Sequence, residues 1–120
     1  MSIIKIILQR IFKRKMIQEI TVLEVKQALD AKQDILVIDV REQHEVDAAN
    51  IGATHIAMGE VLDRLTEIPK DKPVYIHCRS GSRSGAICNA LMNNGYTNVF
   101  NVKGGIMAWS KEIDTTLVVQ

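Results

Sequence analysis

The stretch Val74-Tyr75-Ile76-His77-Cys78-Arg79-Ser80-Gly81-Ser82-Arg83-Ser84 decides the fold. An apolar run ends at a thiol, passes through a short loop of serines, glycine and arginines, and enters a pattern in which Ser84, Cys88 and Met92 recur at helical spacing. A strand that leads straight into a helix is the unit from which parallel sheets covered by helices are built. Ligands in such sheets sit at the carboxyl ends of the strands, and Cys78 stands at such an end.

The chemistry follows from that position. The first N–H groups of a helix have no partner within it and carry partial positive charge, so they stabilise an anion at their focus. A free cysteine has a pKa of about 8.5, which helix N-termini or neighbouring arginines lower to roughly 3.5–7.5. Cys78 therefore reads as a nucleophile at neutral pH. Most isolated cysteines are small buried hydrophobes. Here the seven residues after Cys78 hold two arginines, two glycines and three serines, which such a residue would not need. Gly81 and Gly85 permit tight turns and close approach of a ligand. Ser80, Ser82 and Ser84 suit the start of a helix as caps, and Arg79 and Arg83 offer planar forks to an oxyanion.

Loop length separates two chemistries. Four residues stand between Cys78 and Arg83, one fewer than in the Cys-x5-Arg loop of cysteine phosphatases. The longer loop wraps a tetrahedral phosphate, whereas the shorter one leaves a narrow pocket that suits a terminal sulfur carried on the cysteine itself.

Working outward, Gln18 to Ile20 reads as a short edge strand. Thr21 with Glu24 forms a capping box that opens a helix through Ala31, with Val22, Val25 and Leu29 facing inward. Ile35 to Asp39 is nearly continuous in apolar residues, as in a parallel strand covered on both faces. Glu42 to Ala49 is expected to be helical, His55 to Ala57 a short strand, and Glu60 to Glu67 a helix stopped by Pro69. After Val74 to His77 comes a helix from Ser82 to Asn94 that ends at Gly95, then a strand from Val99 to Val102 and a closing helix from Ile106 to Glu112. Strands and helices alternate throughout, so the fold class is α/β.

The chain of 120 residues has room for one domain. With 47% hydrophobic and 24% charged residues it has the composition of a globular protein, and 4% aromatic residues imply an aliphatic core. So few aromatics argue against binding nucleic acid by base stacking. The net charge of +1 conceals an asymmetry: Lys5, Arg10, Lys13, Arg14 and Lys15 supply five of the fifteen positive charges. Residues 1–16 form a basic amphipathic extension, with Ile3, Ile4, Ile7, Leu8 and Ile11 on one helical face, and residues 17–120 form the domain. A twelve-residue helix covers about 18 Å, too short for a hydrocarbon core of about 30 Å. The segment remains a candidate for peripheral membrane contact, a docking helix or a frayed extension.

Cys78 and Cys88 give neither a disulfide framework nor a metal spacing. With a helix starting near Ser82, Cys88 lies about 9 Å along its axis, while disulfides need Cα atoms within about 7 Å. Two reduced thiols favour a cytoplasmic location. Cys88 reads as core beneath the loop, with a resolving thiol as the sharper alternative. His77 precedes the nucleophile on the strand and so points to the opposite face. His44 and His55 read as surface residues.

The chain resembles the single-domain rhodaneses, sulfurtransferases that carry sulfane sulfur as a cysteine persulfide. The similarity rests on Asp39-Val40-Arg41-Glu42, Ile51-Gly52-Ala53 with Ile56, His77 through Ser84, and Gly104-Gly105-Ile106 with Ala108-Trp109, in order across Ile17 to Ile113. Where the family commonly reads Gly-His-Ile, this chain has Ala49-Asn50-Ile51. The resemblance implies a central parallel sheet of about five strands, flanked by helices on both faces. It also implies Cys78 as the catalytic nucleophile, with Arg79, Ser80, Gly81, Ser82 and Arg83 binding substrate and Asp39 and Arg41 in support. The expected partners are a small sulfur-containing donor such as thiosulfate and an acceptor that is cyanide, a thiol or a protein thiol, with no cofactor, no metal and no nucleic acid. A cysteine phosphatase or arsenate reductase on the same scaffold, and a rhodanese module used for binding, are the alternatives.

Overall fold

The computed structural model describes residues 2–5 and 16–120. The amphipathic pattern through Ile7, Leu8 and Ile11 falls outside them. A parallel sheet of five strands forms the centre, built from β1 (Glu19–Ile20), β2 (Leu36–Asp39), β3 (Thr54–His55), β4 (Val74–His77) and β5 (Val99–Val102). Its order is β1-β5-β4-β2-β3. Tyr75 pairs with Val37 on one side and Phe100 on the other, and Ile76 with Ile38 and Asn101. The helices are α1 (Val22–Asp30), α2 (Gln43–Ala48), α3 (Ser82–Asn93) and α4 (Gly105–Glu112).

Alternation along the inner strands sends successive side chains to opposite faces. Ile38 and Ile76 join Ile87, Cys88 and Leu91 of α3 in one core cluster. Val37 and Tyr75 join Val22, Val25 and Ala28 of α1 and Ile106 and Trp109 of α4 in the other. Both faces are thus covered, which is why β2 and β4 carry near-continuous apolar runs. The chain steps outward from β2 to β3 and in the opposite direction from β4 to β5. The loops after β2 and β4 therefore diverge and leave a crevice between them, where such sheets bind ligands.

The Thr21–Glu24 capping box forms as expected. Two local readings do not hold. Leu29 is 40% exposed and Ala28 takes the inward place, because the buried stripe of α1 runs Val22, Val25, Ala28 and residue 29 lies about 100° further round. Glu60 to Glu67 is not an α-helix but two 3-10 helices, Met58–Asp63 and Leu65–Glu67, broken at Arg64. Between them they bury Val61 alone, while Leu62 is 52% exposed. So thin a stripe does not hold an α-helix against the core, and the tighter form serves as a connector. Among the described residues no helix is long and apolar enough to cross a membrane.

Candidate functional site

Cys78 directly follows β4, and its Sγ accepts the Gly81 N–H at 3.1 Å. The Ser84 hydroxyl lies 3.3 Å from the same sulfur. Gly81 occupies the N-cap of α3 with φ of +114°, a left-handed conformation natural to glycine, and no side chain caps the helix. The serines expected as caps do not play that part, and the unpaired amides of the first turn are left to the sulfur. Burial alone would raise the thiol pKa. The Ser84 hydroxyl and the amides of Ser84, Gly81 and Ser80 outweigh it, so Cys78 ionises below the usual thiol range.

Two elements brace the loop from behind. At the start of α4, Ile106 donates to the Cys78 carbonyl and Met107 to the Arg79 carbonyl, both at 3.0 Å. Gly105 makes this approach possible: with φ of +57°, a Cβ added there would stand 2.5 Å from the Cys78 oxygen and 2.6 Å from the Arg79 oxygen. From β5, Asn101 donates through Nδ2 to the Gly81 carbonyl at 3.1 Å and accepts the Ser84 hydroxyl through Oδ1 at 2.6 Å. Ser84 has one proton, which can point to Asn101 or to Cys78 but not to both. The shorter contact assigns it to Asn101 while Cys78 is a neutral thiol, and a thiolate competes for it.

The loop arginines are both engaged. Arg83 forms a two-pronged pair with Glu45 of α2, at 2.7 Å and 2.8 Å, across the crevice between the β2 and β4 loops. That hydrogen bonding holds the Glu45 carboxyl down to about 2. Arg79 donates through Nε to the main-chain oxygen of Gln120 at 2.8 Å.

Beneath lies the buried pair of Asp39 and Arg41, joined at 2.8 Å. Arg41 also donates to the Ala49 carbonyl at 2.8 Å and the Glu45 carbonyl at 3.4 Å, tying the β2 loop to the middle and the C-terminal end of α2. Burial opposes the charge on Asp39, but hydrogen bonds from the Arg41 side chain and main chain keep its carboxyl below the usual value. His77 is buried, with Nδ1 3.2 Å from the Cys78 carbonyl and Nε2 3.5 Å from Asp39. Burial pushes its pKa down, so the ring is a neutral wedge turned to the carbonyl side of Cys78.

His55 is half-buried rather than on the surface, with Nε2 2.6 Å from the Arg41 carbonyl. Asn50 closes the turn at the departure from the family pattern: it donates to the Val46 carbonyl at 3.1 Å and accepts the Gly52 N–H at 3.0 Å. Cys88 is fully buried. Burial, and then the charge of Cys78, push its thiol up to about 12, which suits packing. Among the described residues no cluster of His, Cys, Asp or Glu could hold a metal ion.

Cys78 through Arg83 are thus gathered at one strand end, with Asp39 and Arg41 below them. Sequence reasoning missed Glu45, Asn101 and the bracing role of Gly105, and it assigned Ser84 to capping alone. Glu45 lies 38 residues from Arg83 and Asn101 lies 17 from Ser84, so no local pattern links them.

A family model described as a rhodanese-like domain matches residues 21–112. A sulfurtransferase of Allochromatium vinosum is 40% identical over 97 residues, covering 80% of this chain and 91% of that protein. The putative sulfurtransferase YtwF of Bacillus subtilis is 40% identical over 97 residues, covering 80% and 93%. The crystal structure of a rhodanese-like domain protein from Staphylococcus aureus superposes with a TM-score of 0.74 at 31% identity, over 87% of this chain and 99% of that one. The parallel five-stranded sheet with helices on both faces agrees with these matches, and the chain belongs to the rhodanese-like domain family.

Proposed function

We propose that the protein is a sulfurtransferase that carries sulfane sulfur as a persulfide on Cys78, from a donor such as thiosulfate to a nucleophile such as a thiol or cyanide. The observation that carries this reading is the hydrogen bond from the Gly81 amide to Sγ at 3.1 Å, made at a helix start with no side-chain cap. Amides placed in this way stabilise a thiolate, and equally the anion of a sulfur bound beyond it.

In the first half-reaction the Cys78 thiolate attacks the outer sulfur of thiosulfate. The S–S bond of the donor breaks, sulfite leaves with the bonding pair, and Cys78 retains the transferred sulfur as a persulfide anion. In the second, an acceptor thiolate or cyanide attacks that outer sulfur, and the Cys78 thiolate departs as the leaving group. The amides from Arg79 to Arg83 hold the persulfide, Arg79 guides the approach of charged partners, Arg83 ties the loop to Glu45, and Asp39 and Arg41 keep the neighbouring loop in place. Two half-reactions through a covalent intermediate give ping-pong kinetics.

The test is intact-mass analysis after treatment with thiosulfate or a persulfide. Wild type should gain one sulfur atom, mapped to Cys78, and Cys78→Ser should remain folded and gain none. A wild-type protein that takes up no sulfur from either donor would refute the reading.

A further inference from the structure

Both loop arginines have partners in this structure, and that bears on which donor the site accepts. A site built to draw in a dianion presents uncompensated cations at its mouth. Here the Arg83 guanidinium is gripped at 2.7 Å and 2.8 Å by Glu45. The Glu45 side chain is 15% exposed and the Arg83 side chain 33%, so solvent screens the pair only in part. Glu42 stands one turn earlier and acts on the same guanidinium electrostatically. Arg79 is exposed and holds the Gln120 main-chain oxygen. Two acidic side chains thus bear on Arg83, which leaves the Cys78 thiolate to depend chiefly on the loop amides and the Ser84 hydroxyl. An approaching thiosulfate would have to displace Glu45 to reach the Arg83 guanidinium.

We infer that Glu45 is a specificity-determining residue, which neutralises Arg83 so that the site favours a thiol-borne persulfide over an oxyanion such as thiosulfate as sulfur donor. The inference rests on the sulfurtransferase reading and sharpens it. In the step it describes, the Cys78 thiolate attacks the outer sulfur of R–S–SH. A new S–S bond forms at Cys78, the S–S bond of the donor breaks, and RS⁻ leaves with the bonding pair. The hydrogen stays on the transferred sulfur, so the step requires no further oxidant or reductant.

The experiment compares single-turnover loading of Cys78 from thiosulfate, from the persulfide of N-acetylcysteine methyl ester, and from a persulfidated cysteine in an uncharged peptide. Glu45→Gln keeps the shape of the side chain and removes its charge. The variant should raise the thiosulfate rate relative to the persulfide rate by about tenfold, the low end of what local charge does to association. Because the readout is a ratio, a general loss of activity cancels. In wild type, where folding is not in question, raising ionic strength should leave thiosulfate loading unchanged or faster, since screening weakens repulsion of a dianion. A ratio unchanged by Glu45→Gln, or wild-type thiosulfate loading that falls steeply with salt, overturns the inference. Wild type that loads from no donor sinks the sulfurtransferase reading itself, a different result. Faster loading from the peptide indicates a polypeptide carrier and faster loading from the small persulfide a free thiol; either supports the inference when it exceeds loading from thiosulfate.

Discussion

Replacing Gly105 with alanine places a methyl group against the back of the nucleophile loop. Its Cβ would stand 2.5 Å from the Cys78 oxygen, 2.6 Å from the Arg79 oxygen and 2.7 Å from the Arg79 carbonyl carbon, where real Cβ atoms come no closer than 3.0 Å. All three are backbone atoms, so no rotamer change relieves the clash, and the loop or α4 has to retreat by about 0.5 Å. The φ of +57° adds a second cost, about 1–2 kcal/mol for a residue with a Cβ in the left-handed region. Overpacking a tight contact costs about 1–3 kcal/mol. The sum is about 2–5 kcal/mol, a large share of the roughly 5–15 kcal/mol that holds a domain together. The bonds from Ile106 and Met107 to the loop carbonyls would lengthen with the retreat. Sulfur loading at Cys78 should fall by about tenfold or more, given that a 1 Å misplacement costs about a hundredfold. Urea unfolding and mass-resolved loading measure the two effects. Gly59→Ala is the reference, because a Cβ there meets nothing within 4 Å, and it should stay within about 0.5 kcal/mol of wild type. A Gly105→Ala protein as stable as Gly59→Ala, with undiminished loading, would refute the view that α4 positions the loop through this contact.

Asn101→Ala removes one hydrogen bond each from the Ser84 hydroxyl and the Gly81 carbonyl, which keep Cys78 Sγ and the Gly85 N–H as partners. It should cost about 1–3 kcal/mol of stability by urea unfolding, since each of the two hydrogen bonds lost contributes about 0.5–1.5 kcal/mol, and a smaller change than about 0.5 kcal/mol would show that the clamp is idle. The Glu45 carboxyl is lowered from 4.5 to about 2 in the folded protein. A depressed folded pKa contributes stability that is complete above the unfolded value, so this contribution should be lost as pH falls from about 4.5 towards 2. The full shift would correspond to about 3 kcal/mol, reduced to about 1–2 because Arg83 is 33% exposed. Glu45→Gln should flatten this acid limb of stability, and an unchanged limb would contradict the assignment.

Much of the fold is legible in the chain because it is local. The apolar runs at residues 35–39 and 74–77 announce strands buried on both faces, and the Thr21–Glu24 box marks a helix start to the residue. The reading failed where tertiary packing decides. Residues 58–67 carry charges at i,i+3 and i,i+4 around Arg64 that suit an α-helix, but the short 3-10 connector wins where little is buried. At the site, Cys78 and its loop are contiguous and therefore visible. Glu45, Asn101 and Gly105 reach the loop from α2, β5 and α4, and only the sheet order brings those elements together. Ser82 and Ser80 illustrate the opposite error: good capping residues are present, yet the cap is Gly81, because a capping side chain would occupy the amides that Cys78 uses.

The most direct test of the central claim is the pH dependence of alkylation at Cys78, followed by mass spectrometry with Cys88 as an internal reference. If the loop amides hold Cys78 as a thiolate, its rate should reach half its maximum below the ordinary thiol value of about 8.5, while Cys88, with its thiol pushed up to about 12, stays unmodified in the folded protein. A Cys78 midpoint at or above about 8.5 would contradict the account.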